Sequence, residues 1–197
     1  MLGDTIHCAL RIRLKDLACV CLMSAQYTER IEALRRACVQ DVNIIRTFPL
    51  QMVHSIFEEI AVPLSTWGSN LWKRIRSLED WTGMTPSREL ATARVDLLDS
   101  RRLTILLRDL HAVRVELRIG LINIKTMTGF IPWVITALEK LEKLRAEVGA
   151  SALTAGQRAQ FEDLLRFNEN VLPNMVESTT GFLDCIDGQM NVVSVVF

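Results

Sequence analysis

Apolar side chains recur along most of this chain at intervals of three and four residues, the spacing that places them on one face of an α-helix. In the clearest run the two intervals alternate, so that the pattern repeats every seven residues. Its positions are Leu103, Leu106, Leu110, Val113, Leu117, Gly120, Ile124 and Met127. Such a repeat is typical of helices that pack lengthwise in a bundle or coiled coil. We therefore predict a long central helix over about residues 86–128.

Helix boundary signals accompany this pattern. Thr85 can cap the central helix with Pro86 in its first position. Thr154 and Gln157 have the spacing of a capping box, which predicts that another helix begins there. Gly149 is expected to end the helix that precedes it, because glycine tolerates the left-handed conformation of a helix C-terminus.

Proline and glycine interrupt the pattern elsewhere. Proline disfavours helical geometry in the residue before it, so Phe48–Pro49 predicts a break between two helices. We expect a loop over residues 63–68, an end or kink of the central helix at Gly129 and Pro132, and a kink or new helix at Pro173. No segment alternates strictly at period two, and the first twenty-odd residues are also predicted to be helical.

These elements predict an all-α fold of about six or seven helices. Short helices would occupy residues 1–84, and an antiparallel bundle would occupy residues 85–197. A single domain over the whole chain is the alternative, because a chain of 197 residues can build one sizeable core.

Charge and motif content narrow the function. The 23 basic and 23 acidic side chains leave no net charge, which argues against a nucleic-acid partner. Arg94, Arg101 and Arg108 share a helix face, but no aromatic residues interleave with them to stack on bases. The glycine-rich phosphate loops and nucleophile motifs of enzymes are missing from the sequence. We therefore predict no catalytic residue and no cofactor.

Cysteine and histidine do not form a recognisable metal motif. The five cysteines are odd in number and irregular in spacing, which indicates reduced, packed thiols and an intracellular, cytoplasmic location. His7, His54 and His111 lie far apart and lack metal-spaced partners, so we predict no metal site.

Two segments leave alternatives open. Residues 119–138 carry Lys125 as their one charge and approach the length that spans a bilayer. They are interpreted as a buried helix end and turn, or as a membrane-inserting hairpin with Gly129 and Pro132 at its tip. The apolar tail Leu183–Phe197 is either buried in the bundle or marks the chain as a fragment of a longer protein.

The segment Phe48–Ile60, with Pro49 followed by an amphipathic run ending in Ile56-Phe57-Glu58-Glu59, resembles the opening of an F-box. F-box proteins dock this segment on the adaptor subunit of ubiquitin ligases. The resemblance implies a docking face made of Pro49, Val53, Ile56 and Phe57. Phe48 and Gln51 replace the usual Leu and Glu, and the middle of the family motif is missing before Leu71.

Taken together, the pattern predicts a non-enzymatic scaffold, adaptor or oligomerising module that acts through helix–helix contacts. The predicted contact surface is the central helix from Leu103 to Met127, the tail Leu183–Phe197, or both. On the helix the predicted contact residues are Leu103, Leu106, Leu110, Val113 and Leu117. A membrane-active bundle and an F-box-type adaptor are the alternatives. The identity of the partner, the oligomeric state and any small-molecule ligand stay open.

Overall fold

The structure is a computed structural model that describes residues 6–82 and 100–196, most of which are helical. Over these residues it contains two strands followed by five helices. The strands are β1 (His7–Ile12) and β2 (Cys19–Ser24). The helices are α1 (Thr28–Gln40), α2 (Val42–Thr47), α3 (Gln51–Thr82), α4 (Ser100–Glu147) and α5 (Ala155–Val196). The predicted all-α fold is confirmed in part: the described residues are mostly helical with a long central helix, but they include a two-stranded sheet and five helices rather than six or seven.

The N-terminal segment is a β-hairpin, so the prediction of helix over the first twenty-odd residues is wrong. The strands are antiparallel, with His7 opposite Ser24 and Ile12 opposite Cys19. Each strand is only six residues long, and in β1 the partly buried Leu10 and Ile12 alternate with exposed Ala9 and Arg11 over too few positions to stand out in the sequence. The connecting turn holds Leu17 at a φ of 61°, a left-handed conformation uncommon for residues other than glycine.

The long helices continue through prolines at which the sequence predicts a loop, an end or kink, or a kink or new helix. Pro63 lies inside α3, Pro132 inside α4 and Pro173 inside α5. The predicted loop at 63–68 and the predicted end or hairpin tip at Gly129 and Pro132 are therefore wrong. An interior proline costs about 3 kcal/mol. Helices of 32, 48 and 42 residues bury enough apolar surface to offset that cost.

Other boundary predictions are confirmed. A break separates α2 from α3 at Phe48–Pro49. Gly149 follows α4 with a φ of 65°, and the Thr154 hydroxyl accepts a hydrogen bond of 3.4 Å from the backbone N–H of Gln157 at the start of α5. The central helix is present from Ser100 but continues to Glu147 rather than ending at 128. Its predicted start at Thr85 and Pro86 lies outside the described residues.

The chain divides into two compact units, each built from segments of α3, α4 and α5. Of the described residues, the first unit takes 6–63 and 126–173, and the second takes 64–82, 100–125 and 174–196. Each unit therefore combines residues from both of the predicted segments, 1–84 and 85–197.

The second unit has a three-helix core. Its buried members are Leu71, Ile75, Leu106, Leu110, Val113, Leu117, Ile186 and Val193. Trp67 donates a hydrogen bond of 3.1 Å from Nε1 to Glu116 on α4. Arg74, about two turns further along α3, pairs with the same carboxylate. Arg114 and Asp187 join α4 to α5 through an ion pair of 2.6 Å. These links place one helical face of each element toward the shared core.

The first unit has its own core around two phenylalanine rings. Phe48, in the break before α3, and Phe161, on α5, are buried and meet edge to face with their ring centroids 5.0 Å apart. Arg145, near the end of α4, is also buried. Its guanidinium donates hydrogen bonds of 2.5 Å to the Leu14 carbonyl and 2.6 Å to the Ser151 carbonyl. These bonds fix the turn of the β-hairpin against the end of α4.

Candidate functional site

An apolar cavity of about 700 Å³ lies within the first unit, between the β-hairpin, the start of α3 and the second half of α4. Cavities of about 300–1,000 Å³ are the usual size for binding a small molecule. The residues that line it are Ile6, Cys8, Leu10, Ile12, Leu14, Leu50, Val53, Ile56, Phe57, Ile60, Thr126, Met127, Phe130, Trp133, Ala137, Lys140, Leu141 and Leu144.

The cavity has three walls, and the residues that form each wall share one face of β1, α3 or α4. On β1 the lining residues Cys8, Leu10 and Ile12 are two apart, because successive side chains of a strand point to opposite faces. On α3 and α4 the lining residues are three and four apart, as on one face of a helix. The three apolar faces meet around the cavity, while Arg11 on β1 points to the other side of the hairpin.

Two exposed aromatic side chains line the cavity. Phe130 and Trp133 stack with their ring centroids 5.1 Å apart and an interplanar angle of 25°. Their exposed fractions are 37% and 58%, high for large apolar side chains. Exposed stacked rings beside an apolar cavity offer a surface on which a ligand can pack as it enters.

The polar chemistry of the cavity is sparse. Among the described lining residues, Lys140 alone carries a charge, and it is exposed at the edge. Thr126 adds a hydroxyl and Cys8 a thiol. One cation beside a carbon-lined space suits an elongated apolar molecule with an anionic end.

A buried histidine lies close to this cavity. His54 on α3 places Nε2 3.7 Å from Glu58 Oε1, beyond hydrogen-bond distance, and neither of its ring nitrogens is hydrogen-bonded in the structure. It faces a much smaller space that is lined by Val134, Phe161 and Asn168 among others. Within the described residues, no three His, Cys, Asp or Glu side chains are placed to hold a metal ion.

The residues of the predicted F-box docking face are gathered at this site. Val53, Ile56 and Phe57 line the cavity, and Pro49 is buried. The surface that the F-box resemblance assigns to a protein partner therefore faces β1 and α4 of the same chain. The resemblance itself stays a prediction.

The predicted contact residues of the central helix lie elsewhere, in the second unit. Leu106, Leu110, Val113 and Leu117 are buried in its core, and Leu103 packs against that core. The tail residues Ile186 and Val193 belong to the same core. These side chains stabilise the chain's own fold, so a partner would have to contact other residues or displace α3 and α5.

The cavity is not predicted from the sequence. The α3 wall of the cavity coincides with the predicted docking face, and the α4 wall coincides with the predicted turn at Gly129 and Pro132. The available signal was the alternation of Cys8, Leu10 and Ile12, which identifies β1 and hence a third apolar wall.

Helix α4 is also long and apolar enough to cross a membrane over Arg101–Glu147, and 28% of its most apolar 18-residue window is buried. The core helix of a soluble protein meets the same criterion, so membrane activity stays a prediction. In the structure, residues 119–138 belong to one continuous helix, with no turn at Gly129 and Pro132.

No protein family, curated protein or solved structure matches this chain.

Proposed function

We propose that this protein is a non-enzymatic binding protein that holds a long-chain fatty acid, or a molecule of the same chemical class, in the cavity of the first unit. The observation that carries the proposal is the cavity of about 700 Å³ with three apolar walls and a single lysine at its edge.

Affinity would come mainly from the hydrocarbon chain. Each methylene group that moves from water into an apolar environment gains about 0.8 kcal/mol. The alkyl chain would lie among Leu10, Ile56, Met127 and Leu141, and it would enter past the stacked rings of Phe130 and Trp133.

Orientation would come from Lys140. An ammonium group at the edge can pair with a carboxylate that stays in contact with water, and an exposed pair of this kind is worth about 1 kcal/mol or less. The lysine therefore selects which end of the ligand faces outward, and it contributes a minor share of the binding energy.

We expect isothermal titration calorimetry with palmitate to show saturable binding to the wild-type protein. Ala137→Trp fills the cavity from the α4 wall and should weaken binding about tenfold or more. Lys140→Met should weaken palmitate binding about two- to fivefold. The same variant should leave the affinity for the corresponding long-chain alcohol unchanged.

Ala146→Trp is the matched control, because Ala146 is exposed on the same helix and outside the cavity lining. This variant should bind palmitate like the wild type. The proposal is wrong if the wild-type protein does not bind palmitate, or if both tryptophan variants bind it with unchanged affinity.

A second candidate function is self-association, the oligomerising form of the helix–helix contact predicted from the sequence. Val115, Ile119 and Ile122 follow one another at intervals of four and three residues on α4. All three are exposed, and exposed apolar residues in such a row mark protein contact surfaces. The absence of net charge also removes long-range repulsion between two copies of the chain.

We expect light scattering of the wild-type protein to give the mass of a dimer, and Val115→Asp with Ile122→Asp to give the mass of a monomer. The control adds the same two charges at exposed positions of α3 in the same unit, through Asn70→Asp and Ser77→Asp. Self-association through α4 is refuted if the wild-type protein is monomeric, or if both pairs of substitutions dissociate it equally.

A further inference from the structure

The β-hairpin brings two cysteine sulfurs close together. Cys8 lies opposite Met23 and Cys21 lies opposite Leu10, so the two cysteines are diagonal neighbours on the same face of the hairpin. Their Sγ atoms are 3.2 Å apart. A disulfide bond has a length of about 2.05 Å, so the sulfurs need to approach by about 1.2 Å. Both cysteines are free thiols in the structure.

Two more thiols surround this pair. Cys19 shares the β2 face of Cys21, since residues two apart on a strand point the same way. Cys38, on α1, is close enough to affect the pKa of Cys21. Burial, a hydrogen bond with Cys8 and the nearby thiols of Cys38 and Cys19 raise the pKa of Cys21 to about 12. Burial also raises the pKa of Cys19 and Cys38.

The four thiols of the hairpin and α1 differ in their exposure to solvent. Cys8 is exposed, whereas Cys19, Cys21 and Cys38 are half-buried. A small disulfide dissolved in water can therefore reach Cys8 more easily than the other three sulfurs. Cys21 can then react in a second step, because its Sγ lies 3.2 Å from Sγ of Cys8.

We propose that Cys8 and Cys21 form a redox-sensitive site that closes to an intramolecular disulfide by exchange with a low-molecular-weight disulfide such as oxidised glutathione. Cys8 also lines the cavity, but the exchange needs no ligand there, because it uses only the two sulfurs of the hairpin.

The exchange proceeds in two displacements. The Cys8 thiolate attacks one sulfur of oxidised glutathione, forming a mixed disulfide and releasing one glutathione thiolate. Cys21, as it loses its proton, attacks Sγ of Cys8 and releases the second glutathione thiolate. The two protons of Cys8 and Cys21 end on the two released glutathione molecules. The protein pair is oxidised and one glutathione disulfide is reduced.

The test is titration of the purified full-length protein with oxidised glutathione, followed by thiol counting and intact mass. The wild type should lose two of its five free thiols and the mass of two hydrogen atoms, with no disulfide between two chains. Trypsin cleaves after Arg11, Lys15 and Arg30, so the disulfide should join peptide Met1–Arg11 to peptide Asp16–Arg30. Fragmentation of the linked peptides should assign the bond to Cys21 rather than Cys19.

Serine variants separate the two steps. Cys8→Ser should keep its remaining thiols free, because the exposed attacking sulfur is gone. Cys21→Ser should instead retain one glutathione on Cys8, because no sulfur remains to displace it. Cys185→Ser, which changes a cysteine of the second unit, should still form the disulfide like the wild type.

The assignment fails if the wild type keeps all five thiols in excess oxidised glutathione. It also fails if the bond forms between two molecules or involves Cys19 or Cys38. Formation of any intramolecular disulfide in the Cys8→Ser variant would also refute the assignment.

Discussion

Replacing Leu110 and Leu117 together with Asp is expected to unfold the second unit. Both leucines have an exposed fraction of 0% and lie in the core that α3, α4 and α5 share. Truncating a buried leucine costs about 2–5 kcal/mol, and burying an unpaired carboxylate in its place adds several kcal/mol more. The summed cost of the two substitutions is comparable to the whole free energy of unfolding of a typical domain, which is about 5–15 kcal/mol.

Circular dichroism during chemical denaturation measures this effect. We expect the double variant to lose helicity in the absence of denaturant. The control is Asn70→Asp with Ser77→Asp on α3 of the same unit, where both wild-type residues are exposed. Each control substitution should change the free energy of unfolding by about 0.5 kcal/mol or less. Unchanged helicity and stability in the Leu110 and Leu117 variant would contradict the arrangement of this core.

Gly120→Ala should destabilise the same unit for a steric reason. A Cβ atom at position 120 would lie 2.1 Å from Cη2 of Trp67 and 2.6 Å from Cζ2, well inside van der Waals contact. The indole cannot retreat freely, because its Nε1 donates a hydrogen bond to Glu116. Overpacking of this kind costs about 1–3 kcal/mol, and the clash here is severe, so we expect a loss near the upper end of that range.

The matched control is Gly129→Ala, further along α4. A Cβ atom at position 129 meets nothing within 4 Å. Alanine stabilises a helix interior by about 0.5–1 kcal/mol relative to glycine, so this variant should gain stability while Gly120→Ala loses it. Urea denaturation of the two variants gives opposite signs if α3 and α4 approach each other at Trp67 and Gly120. Stabilisation by both substitutions would refute the close contact.

The helical part of the fold could be predicted where burial alone determines the pattern. Leu106, Leu110, Val113 and Leu117 are all buried, so the seven-residue repeat identified the core face of α4 correctly. The capping residue Thr154 and the left-handed Gly149 were also identified, because each signal depends on neighbours within a few residues.

Tertiary packing decided the elements that were predicted wrongly. Pro63, Pro132 and Pro173 break isolated helices, but here each lies inside a helix that packs on both sides of the proline. The alternation of β1 spans six residues, too few to outweigh the helical pattern around it. Local sequence contains neither the packing energy that tolerates a proline nor the partner strand that pairs with β1.

The candidate site was harder to predict than the fold, because its walls come from residues far apart in sequence. Leu10, Phe57 and Trp133 each belong to an apolar face that is unremarkable alone. Similarly, Cys19 and Cys21 point in different directions on a helix but the same way on a strand, so the wrong secondary structure concealed the thiol cluster.

The two hydrogen bonds of Arg145 have a consequence for the order of folding. One guanidinium holds the Leu14 carbonyl, 131 positions away in sequence, as well as the nearby Ser151 carbonyl. An isolated two-stranded hairpin is marginally stable in water, so β1 and β2 depend on this distant anchor. Contacts that close so long a loop form late, because other contacts must first offset the chain entropy that is lost on closing it. We therefore expect β1 and β2 to be among the last elements of their unit to become ordered.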